Sequence, residues 1–319
     1  MEKSLPTVAV ALFVRNEFSD ISGWISWYFA LGVKTLFIFD DHSTDGTWEI
    51  LQAATKCYDI RLFRTDPIQE SWFYLRQRDS FLKAVELCKG YYDWLAFLDA
   101  DEYLYLKHFD TLPEFLDQFK DADAVAFNWR IYGHGHTVLR PKKAVVESFL
   151  RHSLPTFGAN ELIKSFFRPE NHTGKYITPH WIEDIDPNRY FKPNNTKVTR
   201  IGSSQDVDWS DAFVMHYICR SMEHFTQRVK VRPDTSGCWG GYNTIDLEDK
   251  EPLRLMPKVN EIMASIYEQQ FKDAIDLIRG VGVEKKKFIG YNKKMERTLS
   301  CTKSKSNEVK DVSWYCFVS

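Results

Sequence analysis

A short apolar run that ends abruptly in acidic residues constrains this chain more than any other segment. Residues 94–98 read Trp-Leu-Ala-Phe-Leu, and Asp99, Ala100, Asp101 and Glu102 follow directly. An apolar run of this length, flanked by polar residues, predicts a buried β-strand. Carboxylates crowded at the end of a strand repel one another unless a cation or a positive partner lies beside them. Because Asp99 and Asp101 supply the hard oxygen ligands that Mg²⁺ and Mn²⁺ prefer, the sequence favours a divalent cation over a solvated turn.

The first hundred residues alternate between strand patterns and helix patterns. The predicted strands cover residues 7–14, 34–39, 59–64 and 94–98, and the predicted helices cover residues 21–31, 47–54 and 71–89. Such alternation predicts right-handed crossovers between the strands of a mostly parallel sheet, whose ligands bind outside the carboxyl ends of the strands. Three polar groups follow predicted strands, so we expect them to share one edge of the sheet. They are Arg15-Asn16-Glu17, Asp40-Asp41, and the acids at 99 and 101.

The alternation weakens after residue 105. Further strands are predicted at 124–131, 162–167 and 213–218, with loops rich in Pro and Asn over residues 169–210. We interpret this half as completing the same sheet.

Apolar residues then recur at the 3/4 spacing of an amphipathic helix over residues 257–279. This helix is expected to pack on the main domain or in a homodimer. Nine Lys or Arg residues lie within 285–310, and they form either a solvated tail or a contact to an anionic membrane face, where each contributes about 1 kcal/mol.

Composition excludes some classes of function. The 319 residues carry a net charge of −2, which gives no reason to expect nucleic acid as a partner. The six Cys show no paired metal spacing and no disulfide framework, so we interpret them as reduced thiols. The polar start of the chain is too short for a signal peptide, and its apolar runs are too short for a membrane span. We therefore expect a cytoplasmic protein, with peripheral contact to the inner membrane face as the alternative.

Several motifs, taken in order, resemble the GT-A glycosyltransferases, in the branch that is similar to families 2 and 92. The resemblance covers residues 7–235. The family usually has Gly after the paired acids of its second motif, and His42 stands there in this chain. The motifs are Val14-Arg15-Asn16-Glu17, Phe39 to Thr47, Phe97 to Glu102, Trp129 with Tyr132-Gly133-x-Gly135, Lys164-Ser165-x-x-Arg168-Pro169, His180, and His216-Tyr217 with Ser221 to Phe225.

The resemblance implies an α/β fold class, a GT-A type Rossmann-like mixed sheet flanked by helices, with a C-terminal helical extension. It implies a GT-A domain over residues 1–250, divided into a nucleotide-sugar half (1–105) and an acceptor half (106–250), and a helix with a basic tail over 251–319. The implied activity is that of a metal-dependent, inverting hexosyltransferase. It moves a sugar from a nucleotide-sugar, most often a UDP-sugar, to a glycan or glycolipid acceptor in surface polysaccharide or lipopolysaccharide synthesis.

The resemblance also implies residues that bind the donor and its metal. Asp101 is the main ligand of Mn²⁺ or Mg²⁺ on the diphosphate, and His216 is a further ligand from a later strand. Asp99 contacts the ribose, or the metal through water. The nucleotide side comprises Arg15, Asn16 and Glu17 beside the nucleoside, Asp40 or Asp41 at the base or ribose, and Arg78 near the diphosphate.

The catalytic base is the role on which the sequence is least informative. Inverting transfer needs a carboxylate that takes the proton of the acceptor hydroxyl. Asp184, four residues after His180, and Glu161, just before the predicted strand at 162–167, are the candidates. Asp211 and Asp234 remain open as alternatives.

Two other classes of protein are alternatives to a transferase. A sugar-nucleotide nucleotidyltransferase normally carries a Gly-rich phosphate loop with a basic residue after its first strand, and residues 14–17 lack one. A non-catalytic nucleotide- or carbohydrate-binding protein on a degenerate GT-A fold is disfavoured by the intact pair of acids at 99 and 101.

Overall fold

A computed structural model describes residues 4–176, 178–183, 185–198, 202–204 and 206–299 of the chain. One compact unit extends to Gln270, and a second begins at Phe271. Within the described residues, no helix combines the length and the apolar character needed to cross a bilayer. The predicted boundary at residue 250 stays a prediction.

The first hundred residues form the elements that the alternating pattern predicted, with bounds shifted by one or two residues. One additional strand, β5, follows the acidic turn directly. The elements are β1 (Val8–Val14), α1 (Ile21–Ala30), β2 (Thr35–Asp40), α2 (Thr47–Thr55), β3 (Ile60–Arg64), α3 (Phe73–Cys88), β4 (Trp94–Leu98) and β5 (Glu102–Leu106).

The rest of the chain adds shorter elements and one long helix. They are α4 (Leu112–Leu116), β6 (Ala124–Ile131), α5 (Val145–Ser148), β7 (Arg151–His152), β8 (Ile163–Phe167), β9 (Tyr190–Phe191), β10 (Ala212–His216), α6 (Met222–Val231), α7 (Cys238–Tyr242), β11 (Leu247–Glu248) and α8 (Met256–Leu299).

The main sheet has the strand order β3-β2-β1-β4-β8-β6-β10-β5, with β9 beside β6. β1, β2, β3 and β4 pair in parallel, as predicted. The later strands mix both directions, because β8 pairs antiparallel to β4 and β6 whereas β10 runs parallel to β6 and antiparallel to β5. The result is the mixed sheet that the predicted fold class required.

Alternation along β1 builds a core on both faces of the sheet. Val8, Val10 and Leu12 belong to the core cluster that includes the aromatic residues of α1, whereas Ala9 and Ala11 belong to the cluster that includes the inner face of α3. Successive side chains of a strand point to opposite faces, so a continuously apolar strand requires a cover on each side. The sheet is therefore a middle layer between two apolar cores.

Aromatic side chains of α1 hold the backbone of the acidic turn between β4 and β5. The Trp24 indole Nε1 donates to the carbonyl oxygens of both Asp99 and Glu102, each at 3.0 Å. The Tyr28 hydroxyl donates to the Glu102 carbonyl at 2.9 Å. Both rings are fully buried. The position of the acids is thus set by a packed helix rather than by the turn alone.

The first turns of α8 pack on the main unit, in agreement with one of the two expectations for this helix. Met256, Val259 and Ile266 are buried. The Lys258 Nζ donates to the Ala30 carbonyl at 2.8 Å, and the Tyr267 and Ser22 hydroxyls hydrogen-bond at 2.7 Å.

Candidate active site

The parallel register brings three polar strand ends to one edge of the sheet. Val14 pairs with Asp40 at the end of β1 and β2, and Leu12 pairs with Leu98 at the end of β4. The residues that follow these strands therefore lie at the same edge, as the sequence predicted. Each buried carboxylate at this edge has a cationic partner from another part of the chain.

Asp41 is bound by Arg76 of α3. The Arg76 Nε and Nη2 donate to its two carboxylate oxygens at 2.6 and 2.8 Å, and the Thr65 hydroxyl donates at 2.7 Å. Burial alone raises the pKa of Asp41, but the hydrogen bonds and charge of Arg76 outweigh it and lower the pKa below its ordinary value. These contacts occupy the Asp41 carboxylate inside the protein, which leaves the predicted contact to a base or ribose without direct support.

From the sequence, Arg78 of the same helix is predicted to contact the diphosphate, and the Asp41 partner Arg76 is not named. Arg78 pairs with its neighbour Asp79 at 2.8 Å on a partly exposed surface of α3. Arg76 shares the buried face of the helix with Ser80 and Ala84, at four-residue spacing. That spacing was readable in the sequence and is the signal that would have selected Arg76. The proposed role of Arg78 at a diphosphate stays a prediction.

The loops after β1 and β2 interlock around Asn16 and Ser43. The Asn16 N–H donates to the Ser43 hydroxyl, and the Thr44 N–H donates to the Asn16 side-chain oxygen, both at 2.9 Å. Asn16 and His42 both have φ of 56°, in the left-handed region. Glycine adopts this region most readily, so the structure explains why a glycine is usual at the position of His42.

Asp40 and Arg15 differ in exposure at the same edge. Asp40 is buried, accepts from the Ser43 N–H, and lies 3.3 Å from the Arg64 Nε. The Arg15 guanidinium lies 3.8 Å from the Asp41 carboxylate on a side chain that is 42% exposed. Arg15 is therefore the more accessible of the two to a ligand.

Glu17 links the end of β1 to the start of α6. The Arg220 Nη1 and Nη2 donate to its two oxygens at 2.8 and 3.0 Å, and Arg220 also pairs with Asp20. The His224 Nε2 lies 3.6 Å from Glu17. Burial raises the pKa of Glu17, but Arg220 and His224 outweigh it and hold the pKa far below its usual range. Glu17 is thus committed to an internal ion pair.

Donor atoms of Glu17, Asp20 and His224 lie within 4.8 Å of one another, which is a spacing that a metal ion can use. Arg220 already neutralises this cluster with a side chain that is 2% exposed. A cation there would have to displace a buried arginine, so we interpret the cluster as an ion-pair network. Sequence reasoning missed Arg220 because it is 203 residues away from Glu17.

Asp99 and Glu102 share Lys164 of β8. The Lys164 Nζ donates to Asp99 at 2.8 Å and lies 3.2 Å from Glu102. The Trp129 indole Nε1 donates to the other Glu102 oxygen at 2.9 Å. Burial, opposed by Lys164, raises the pKa of Glu102 to about 7. Lys164 is 1% exposed, so it is a permanent internal counter-ion of this turn.

Asp101 meets His216, the last residue of β10. The His216 Nε2 lies 3.6 Å from the Asp101 Oδ1, and the Arg228 Nη1 of α6 donates to the Oδ2 at 2.7 Å. Burial raises the pKa of Asp101, but His216 and Arg228 outweigh it and hold the pKa well below its usual range. The His216 ring lies 4.0 Å from the ring of Trp129. Asp101 and His216, two of the three residues predicted at the metal, are therefore neighbours.

The donor chemistry of Asp101 and His216 fits a divalent cation. One carboxylate oxygen and one imidazole nitrogen are ligands for Mn²⁺, and a site with few protein ligands keeps positions for phosphate oxygens and water. The His216 Nδ1 is buried and has no hydrogen-bond partner among the residues that the structure describes. The Asp99 carboxylate is held on Lys164, and its expected contact to a ribose, or to the metal through water, stays a prediction.

The two candidates for the base differ in what the structure reports. Glu161 ends a 3₁₀ turn (Gly158–Glu161) two residues before β8, and its carbonyl oxygen accepts from the Ser204 N–H at 2.7 Å. Its side chain is partly buried. Asp184 lies outside the described residues. The assignment of either as the base stays a prediction.

Comparison with known proteins now gives the family. The model of Glycosyltransferase family 92 matches residues 7–236. The chain belongs to glycosyltransferase family 92. This membership, with the mixed sheet described above, confirms the predicted resemblance and the GT-A fold class.

Two family 92 proteins from plants are among the relatives. One, from Oryza sativa subsp. japonica, is 24% identical over 172 residues, which cover 51% of this chain and 27% of that protein. Another, from Ricinus communis, is 30% identical over 96 residues, which cover 28% of this chain and 15% of that protein. The aligned part thus spans about a quarter or less of the relatives' length.

Two solved structures are similar to the chain at low identity. TarS of S. aureus (residues 1–349) is 13% identical, with a TM-score of 0.37, over 83% of this chain and 72% of that chain. The other is glucosyl-3-phosphoglycerate synthase of Mycobacterium tuberculosis, in complex with Mn²⁺, UDP and glucosyl-3-phosphoglycerate. It is 19% identical, with a TM-score of 0.30, over 53% of this chain and 58% of that chain. The family assignment stands on the sequence match alone.

Replacing Asp41 with Asn is expected to destabilise the protein in a pH-dependent way. Removal of one partner from a buried ion pair costs about 3–5 kcal/mol at neutral pH. Because the folded pKa of Asp41 is lowered, its contribution is complete above the unfolded pKa of about 3.9 and is lost as the pH falls through the folded value. The stabilities of wild type and Asp41→Asn should therefore approach each other as the pH falls. Urea unfolding of both proteins between pH 7 and pH 3 measures the difference.

Arg78→Gln is the matched control for that measurement. It removes a surface ion pair, with Asp79, from α3, the helix that carries the Asp41 partner Arg76. We expect this variant to change the free energy of unfolding by no more than about 0.5 kcal/mol. A gap between wild type and Asp41→Asn that stays constant from pH 7 to pH 3 would contradict the analysis.

Proposed function

We propose that this chain transfers a sugar from a nucleotide-sugar, in first place a UDP-sugar, to a hydroxyl of a glycan or glycolipid acceptor, with a divalent cation and with inversion. The observation that carries the proposal is the meeting of Asp101 and His216, 3.6 Å apart at the ligand-binding edge of the sheet, in a chain of family 92. The context we propose is surface polysaccharide or lipopolysaccharide synthesis.

The residues of the edge suit this chemistry. Asp101 and His216 would hold Mn²⁺ or Mg²⁺, which supplies Lewis-acid stabilisation to the departing nucleoside diphosphate. Lys164 keeps Asp99 ionised and in place, so that the carboxylate can accept from a ribose hydroxyl. A carboxylate base, Asp184 or Glu161, takes the proton of the acceptor hydroxyl as its oxygen attacks the sugar from the face opposite the leaving group. Such direct displacement inverts the anomeric centre.

The other two classes of function have less support. Phosphate cradles of nucleotidyltransferases use a glycine-rich backbone, whereas the end of β1 carries Glu17 in an ion pair with Arg220. A non-catalytic binding protein would share the donor site and differ only in turnover. Binding and turnover are therefore tested separately.

The binding test uses heat stabilisation by nucleoside diphosphates. With UDP and Mn²⁺ at about a hundred times the dissociation constant, mass action adds about 2.7 kcal/mol to the stability of the wild type. We expect Asp101→Ala to abolish the Mn²⁺-dependent rise of the melting temperature, whereas the exposed Asp121→Ala keeps it. Parallel scans with GDP, CDP and dTDP identify the nucleoside. The absence of a shift with every diphosphate would refute the proposal.

Replacement of the catalytic base is expected to stop turnover without loss of the donor. A positioned general base contributes about 10²–10⁴-fold to the rate. We therefore expect Asp184→Asn or Glu161→Gln to lower the rate of UDP release from a UDP-sugar by that factor, with an unchanged dissociation constant for UDP. If both variants keep the wild-type rate, neither residue is the base. A wild type that binds UDP-sugars but never releases UDP would favour the binding-protein alternative.

The proposal places the enzyme at the inner membrane face through the second unit. Phe271, Leu277 and Ile278 of α8 are exposed, with side chains 68%, 71% and 65% accessible, and Lys272 and Arg279 lie among them. A helix with exposed apolar residues and basic neighbours binds the surface of anionic membranes. The basic residues from 285 to 310 extend the same charge along the sequence.

Co-sedimentation with vesicles tests this location. We expect wild type to sediment with vesicles that contain phosphatidylglycerol and to stay in solution with pure phosphatidylcholine. The double variant Phe271→Asp, Ile278→Asp should lose most of this binding, whereas Tyr91→Asp, at an exposed site elsewhere, should keep it. Light scattering tests the alternative, a homodimer. If wild type is a dimer that the double variant dissociates, and wild type does not bind vesicles, this surface is a homodimer interface instead.

A further inference from the structure

Arg228 holds the carboxylate that the proposed function gives to a divalent cation. Its Nη1 donates to the Asp101 Oδ2 at 2.7 Å, while the Oδ1 faces His216 at 3.6 Å. Asp101 is buried, and the other arginine near it, Arg220, lies before the start of α6 and is engaged with Glu17 and Asp20. A buried carboxylate requires a positive partner, and without a metal ion Arg228 supplies it.

The cations at this edge differ in how easily they can leave. Lys164 and Arg220 are 1% and 2% exposed, and each binds two carboxylates. Arg228 is 26% exposed, lies on the second turn of α6, and binds Asp101. It can therefore rotate away from Asp101 without leaving a second buried carboxylate unpaired.

Charge decides what happens when a divalent cation reaches Asp101. The cation and the guanidinium would then share one carboxylate at contact distance and repel each other. This repulsion favours the departure of Arg228 from Asp101, and its charge then needs another partner. The donor brings a diphosphate to the same cation, and guanidinium binds phosphate oxygens with paired hydrogen bonds.

We propose that Arg228 is an internal substitute for the divalent cation at Asp101, and that binding of the cation releases it to bind the diphosphate of the donor. This inference rests on the proposed function, since it requires a cation at Asp101 and a nucleoside diphosphate. Arg228 then binds Asp101 first and the diphosphate of the donor second. The donor site is complete only when the metal is bound. The order of binding is then metal before, or together with, nucleotide.

Two binding measurements on Arg228→Ala test the inference, because they are expected to change in opposite directions. The variant lacks the competitor at Asp101, so it should bind Mn²⁺ alone more tightly, by on the order of tenfold. It also lacks the phosphate ligand, so UDP at saturating Mn²⁺ should bind more weakly, again by on the order of tenfold. Free Mn²⁺ measured by electron paramagnetic resonance gives the first quantity, and calorimetric titration with UDP gives the second.

Arg232→Ala is the matched control, one helical turn further along the chain. The Arg232 guanidinium lies over the Phe73 ring and pairs with Asp234, away from Asp101. It should leave both affinities within about twofold of wild type, as surface substitutions do. Circular dichroism confirms that each variant is folded, and Arg228→Lys should retain part of the UDP affinity.

Each outcome decides between readings. Weaker binding of both Mn²⁺ and UDP by Arg228→Ala would mean that the residue only supports the fold of the site, which overturns the inference. Tighter Mn²⁺ binding with unchanged UDP binding would overturn the diphosphate step. Equal changes in Arg232→Ala would show that the effect is general electrostatics. Failure of the wild type to bind UDP with Mn²⁺ would instead refute the proposed function, and this inference with it.

Discussion

Carboxylates gathered at the carboxyl edge of the sheet are the constraint on which the rest of this structure depends. Parallel pairing of β1, β2 and β4 forces Glu17, Asp41 and Asp101 toward one edge. Removing one partner of such a buried pair costs about 3–5 kcal/mol, so each acid needs a cation held in place. The cations come from α3, β8 and the segment around α6. The later half of the chain must therefore fold over the earlier half before the edge is stable.

Two tryptophan residues help to fix the positions of the polar groups at this edge. Trp24 fixes the backbone of the acidic turn through two carbonyl oxygens, and Trp129 donates to Glu102 while its ring contacts His216. An indole combines a large buried surface with one directed N–H donor, so it can position a polar group without adding charge. Packed aromatic residues thus help to position the acidic turn and His216, in addition to the ion pairs.

The sequence predicted local features well and long-range pairs poorly. Apolar runs placed β1, β2, β4 and β6 within a residue or so, because periodicity is a local property. β5 was missed, since it begins with Glu102, a buried acid that looks like part of a turn. Lys164 was recognised only within a motif, and its pairing with Asp99 joins residues 65 positions apart. Spacing along the chain carries no signal for such a pair.

The two acids of the turn are paired with counter-ions that differ in exposure. Asp99 is bound to Lys164, which is fully enclosed and also serves Glu102, so a cation cannot replace it without exposing a second buried carboxylate. Asp101 is bound to Arg228, which is partly exposed and serves no second carboxylate in the described residues, and it has His216 on its other oxygen. Identical residues two positions apart thus have different surroundings, and under the proposed function Asp99 would be a fixed acceptor and Asp101 an exchangeable ligand. The difference arises from the second half of the chain, not from the turn itself.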